Sequence, residues 1–145
     1  MKNGNDETSS LMRAVWVFLG YMLLGPFFAG LAVSAILILF PLLKLGALLP
    51  LDLPPLGVVA AGTFLWSAIP AAVAAVIVIG FLLLKGRVGW LVAGVAGVLG
   101  FAIASLVLDM PYRDALPSLA FLSGLVSMAV HEALQNAKII LSSDR

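Results

Sequence analysis

The sequence predicts an all-α integral membrane protein, a four-helix bundle with N-in/C-in topology and kinks in helices one and two. Three observations predict it. The 145 residues are 63% hydrophobic and 10% charged, against roughly 45–50% and about 25% in soluble domains, and a globule of this size cannot hide so much apolar surface. The charges stand in short clusters between four uncharged runs, 14–43, 53–84, 88–108 and 115–130, and about 20 apolar residues suffice to cross a hydrocarbon core of roughly 30 Å. Lysine and arginine, finally, collect on one side of these runs.

Residues 1–10 are polar and read as a disordered cytoplasmic tail, with Ser10 suited to cap the first helix. The apolar run that follows is too long for a cleaved secretory signal. Span one is placed at 14–41. Inside it Pro26 removes the bond to the carbonyl of Met22 and predicts a kink, and Pro41 marks the exit. Residues 45–57 are too apolar for an aqueous loop and should lie along the outer headgroups or cover the outer end of the bundle. Leu53-Pro54-Pro55-Leu56-Gly57 resists helix, so span two is placed at 58–84, with a second kink at Pro70.

Lys85-Gly86-Arg87 is short enough to force helices two and three to be antiparallel neighbours, and span three follows at 88–108. The turn 109–114 does the same for helices three and four. Span four is placed at 115–138, with Asp114 as its cap and Pro117 in the first turn, and the helix is expected to continue through Ile139-Ile140-Leu141. Residues 11–141 thus form a single transmembrane domain, and 142–145 a short cytoplasmic tail.

With the N-terminus inside, the cytoplasmic face carries Lys2, Arg13, Lys85, Arg87, Lys138 and Arg145, and the outer face only Lys44 and Arg113. That asymmetry is the positive-inside bias. Trp16 and Trp90 then fall at the inner interface and Tyr112 at the outer one, as aromatic belts do. Compactness and charge bias point to a bacterial inner membrane.

Composition closes off several functions. The chain has no cysteine, which excludes disulfides, thiolate metal sites and cysteine nucleophiles. A net charge of +1 gives no field for nucleic acid. Pro26 and Pro70 have no counterparts in helices three and four, so a transporter-type inverted repeat is unsupported.

Two patterns and one loop remain as candidates. Helix three carries small residues at four-residue spacing in two rows, Gly89-Ala93-Gly97 and Ala96-Gly100-Ala104. Such rows let backbones approach closely where lipid offers no hydrophobic drive. They serve either packing against sequence neighbours or a seam for a second copy or partner helix. Helix four carries a polar stripe, Ser123, Ser127, His131 and Gln135, with Glu132 beside it. His131 and Glu132 either face the inner mouth of the bundle or form a proton- or cation-handling pair. No acid or base lies deep in the other helices, so a continuous relay is missing. At the outer edge, Asp52, Tyr112 and Arg113 are candidate loop contacts.

The leading functional expectation is a non-enzymatic accessory or structural subunit acting through helix–helix contacts, in the bilayer, as a homo-oligomer or within a larger membrane complex. No cofactor or metal is expected. The alternative is a small oligomeric transporter or channel built on the helix-four stripe. A third reading is a haem-bearing membrane anchor, in which the single histidine would need a second copy or a partner for the other axial ligand.

Overall fold

The computed structural model describes residues 4–44, 55–107 and 116–140. These form four α-helices: α1 Gly4–Leu42, α2 Leu56–Lys85, α3 Trp90–Val107 and α4 Leu116–Asn136. All four are long and apolar enough to cross a membrane, and no strand occurs among the described residues. Even α3, with 18 residues, reaches about 27 Å at 1.5 Å per residue.

The helix boundaries follow from local chemistry. No proline or glycine interrupts the sequence between Asn5 and Leu19, and α1 begins at Gly4 rather than at a cap on Ser10. The segment expected as a tail is therefore helical from residue 4. Pro55, read from sequence as resisting helix, instead opens α2. Its carbonyl accepts the N–H groups of Val58 and Val59 at 2.8 and 3.1 Å, and its own missing N–H is harmless just outside the first turn. The helices continue through Pro26, Pro41 and Pro70.

Three helix ends close on a residue in the left-handed region: Lys44 at φ 60°, Gly86 at φ 70° and Lys138 at φ 59°. Gly86 N–H donates to the Leu82 carbonyl at 2.8 Å, the simple left-handed cap. At the end of α4, Lys138 N–H donates to Gln135 O at 2.8 Å and Ile139 N–H to Leu134 O at 2.9 Å. That pair of bonds is a Schellman motif, and it ends the helix at Asn136. The expected continuation through Ile139 and Ile140 is thereby overturned, because the turn folds Ile140 into the core, where it is 2% exposed.

Helix α1 packs on α2, α2 on α3, α3 on α4, and α4 returns to α1, whereas α2 and α4 barely meet. The start of α1 and the end of α4 share one end of the bundle, where Arg13, Trp16 and Lys138 line a common hollow. The core is tightest towards that end, where Val17, Val78, Leu82, Val88 and Leu134 are buried together. Large apolar side chains such as Leu23, Leu65, Leu99 and Phe121 are exposed on all four helices. That exterior suits hydrocarbon and is costly in water.

Candidate functional site

The two sequence patterns meet each other. Ser123 Oγ donates to the Gly97 carbonyl at 3.0 Å, and Ser127 Oγ donates to the Ala93 carbonyl at 2.6 Å. The stripe of α4 therefore runs antiparallel along the first small row of α3, each serine opposite a small residue one turn from the next. The backbones come close enough that a Cβ on Gly97 would lie 2.5 Å from the Ser123 carbonyl oxygen and 3.1 Å from Gly124 Cα. Gly94 and Gly124 carry the same approach further along the seam: a Cβ on Gly124 would meet the Gly94 carbonyl oxygen at 3.3 Å. With no side chain on Gly97 to hold the helices apart, the α3 carbonyls come within reach of the serine hydroxyls.

The second small row turns to a different neighbour. A Cβ on Gly100 would lie 2.7 Å from the Pro70 carbonyl oxygen of α2, and Ala96 joins the shared core with Ala74 and Ala75. Ala104 is also buried. One helix thus offers two adjacent small faces to two partners.

His131 is wholly buried, and Gln135 Nε2 lies 2.9 Å from its Nε2. The amide donates, so Nε2 accepts, and in the neutral ring the proton then sits on Nδ1. Nδ1 is buried and has no hydrogen-bond partner among the described residues. Glu132 is exposed on the adjacent helix face. The two neighbouring side chains thus differ in burial, His131 inside the bundle and Glu132 on its exterior. Among the described residues no cluster of three or more His, Cys, Asp or Glu side chains could hold a metal ion. Asp52, Tyr112 and Arg113 lie outside the described residues, as does the loop 45–54.

Two features were not foreseen from sequence. Tyr21 of α1 is 1% exposed and reaches across to α4, where both the carbonyl oxygen and Oγ of Ser127 lie 3.4 Å from its hydroxyl. Ser127 directs its only proton to Ala93, so Tyr21 must be the donor here, and both contacts are long for an O–H···O bond. A cavity of about 480 Å³, which Tyr21 helps to line, opens within the bundle, with walls from α1, α2 and α4 and with Gly97 and Phe101 of α3. Tyr21, Gly25, Ala29 and Val33 line its α1 wall at four-residue spacing. That spacing was the available signal, and a tyrosine in mid-run was its most informative member.

No family model matches the chain, and neither a curated protein nor a solved structure is found similar to it.

Proposed function

We propose that this chain is a multi-pass protein of a bacterial inner membrane, with both termini cytoplasmic and bends at Pro26 and Pro70. In this reading it acts as a non-enzymatic accessory or structural subunit through helix–helix contacts, with a second copy or within a larger membrane complex. The topology is supported by the distribution of lysine and arginine and by the shared end of α1 and α4.

The observation that carries the functional reading is the direction of the polar groups. Ser123 and Ser127 donate inward to α3, and His131 is wholly buried. What the bundle offers its surroundings is apolar helix surface. The same commitment of the serine hydroxyls disfavours the transport reading, which needs those groups to face a water path.

Photo-crosslinking groups at Leu23 and Leu65, both exposed in mid-helix, test the proposal in membranes. A discrete protein adduct, either a dimer or one defined partner, is expected. Lipid adducts alone at both positions, with a monomer in mild detergent, would reject it. Cysteines placed at Asn3 and Ser143 should be labelled from the same side of the membrane.

A further inference from the structure

We propose that the hollow lined by Arg13 and Lys138 is a site for the phosphate of an anionic phospholipid, in the leaflet at the end of the bundle where α1 starts and α4 ends. The inference rests on the membrane-spanning reading above, and it holds whichever leaflet is cytoplasmic.

Two elements build the site. On α1, Arg13 and Trp16 stand three positions apart and so share a face. Arg13 is half-buried, and its neighbour Ala14 and Val17 one turn on are in the core, so its stem is held against the bundle. On the other side the Schellman turn carries Lys138 out of α4 at φ 59°. Ile140, 2% exposed, pins that turn to the core. The lysine backbone is therefore fixed by a turn rather than carried on a free tail. Between these elements lies a hollow of about 320 Å³.

Charge selects the sign of the occupant. Among the described residues no acidic side chain lines the hollow, and neither Arg13 nor Lys138 makes an ion pair. Two cations that face one space repel unless an anion sits between them. A phosphate offers oxygens to both the guanidinium fork and the ammonium. A zwitterionic headgroup would bring its own cation into the same space, so a net anionic lipid is favoured.

Depth and lining select the source of the phosphate. Arg13 is the last charge before the uncharged run 14–43, and Lys138 stands just past the end of α4 at Asn136. Both thus lie at the ends of candidate spans, at the level of lipid headgroups. The rest of the lining is Met12, Trp16 and Ile139, with Met12 and Trp16 exposed. These side chains add nothing for a free inorganic phosphate. They do pack against a glycerol backbone and the first acyl carbons, with the indole N–H as a donor to ester oxygens.

The test uses the full chain in liposomes, with Trp66→Phe and Trp90→Phe leaving Trp16 as the reporter among the three tryptophans. The probe is phosphatidylglycerol brominated high on its acyl chains, titrated against unlabelled phosphatidylcholine. Quenching of Trp16 should show a preference for the anionic lipid of about fivefold per cation. Lys138→Gly removes one charge while relieving φ 59°, so the fold is kept and the preference should fall about fivefold. Adding Arg13→Gln should bring the two lipids to parity, and Lys138→Arg should keep the preference. Lys85→Gln with Arg87→Gln removes two charges outside the hollow, next to Leu82 and Val88 of the same core. That pair should leave Trp16 unchanged.

Equal quenching by the two lipids, or a preference that survives Arg13→Gln with Lys138→Gly, overturns the site. An equal fall in the Lys85→Gln, Arg87→Gln chain reveals a leaflet-wide charge effect and overturns it as well. Relief of quenching by millimolar inorganic phosphate, unmatched by sodium chloride at equal ionic strength, overturns the lipid in favour of a soluble phosphate. A chain washed from the liposomes by alkali fails the membrane reading. One that stays but shows no preference fails this inference alone.

Discussion

Replacing Gly97 with alanine tests the α3–α4 seam at its closest point. The new Cβ would lie 2.5 Å from both the Ser123 carbonyl oxygen and Ser127 Cβ, where ordinary contact begins at 3.4 Å. Neither obstacle is the end of a flexible side chain, so the helices must part by about 1 Å. The Ser127–Ala93 and Ser123–Gly97 bonds, now 2.6 and 3.0 Å, would stretch to about 3.5 and 4 Å, beyond useful range. Interhelical bonds in membranes average about 0.6 kcal/mol and reach about 1.7. Overpacking adds about 1–3 kcal/mol, and the helix propensity of alanine returns about 1 kcal/mol.

The net expectation is a loss of about 2–4 kcal/mol. Reversible unfolding in mixed micelles, followed by helical circular dichroism, measures it. Gly80→Ala is the control, because a Cβ there meets nothing within 4 Å, and it should be neutral or up to about 1 kcal/mol more stable. Ser127→Ala should cost little further in the Gly97→Ala background, since its bond is already broken there. If Gly97→Ala matches Gly80→Ala within about 0.5 kcal/mol, the seam is not tight and the reasoning fails.

The remaining predictions use the same unfolding assay. Ser127→Ala, losing a buried 2.6 Å bond, should cost about 1–2 kcal/mol, and Ser123→Ala at 3.0 Å about 0.5 kcal/mol; the reverse order would contradict the geometry. His131→Leu should be neutral or stabilising by about 1 kcal/mol because it removes a buried unpartnered nitrogen, whereas His131→Ala leaves a void and should cost about 2–3 kcal/mol. Lys138→Gly should stabilise by about 1 kcal/mol by relieving φ 59°, and Gly86→Ala should destabilise by about 1 kcal/mol at φ 70° even though its Cβ has open space.

The helices were legible because their signal is cumulative: long uncharged runs between charge clusters fix where spans can lie. Boundaries were less so. Pro54-Pro55 reads as an obstacle, yet Pro55 serves as the cap of α2, since a proline blocks the interior of a helix but not its start. The end of α4 was misplaced because lysine is an uncommon residue for a left-handed cap. Nothing in Ala137-Lys138-Ile139 announces a stop as glycine would. The small rows and the polar stripe were both visible, but their pairing was not, since each is a pattern within one helix and register is a property of two. Tyr21 was missed for the same reason: its partner Ser127 lies 106 positions away.

The cavity follows from how the small rows are spent on α3. One row holds α4 at Ala93 and Gly97, and the other holds α2 at Gly100. A helix that draws two neighbours onto adjacent faces keeps them on either side of itself, so α2 and α4 cannot also close on each other over its full length. Towards the end where Val78, Leu82 and Leu134 lie, larger side chains fill the resulting wedge. Towards the other end the wedge is lined by Gly25, Ala29, Gly62 and Ala71, too small to fill it. Small residues therefore act in opposite ways in one bundle: those of α3 remove space between helices, and those of α1 and α2 leave it, beside a tyrosine whose hydroxyl has no close acceptor.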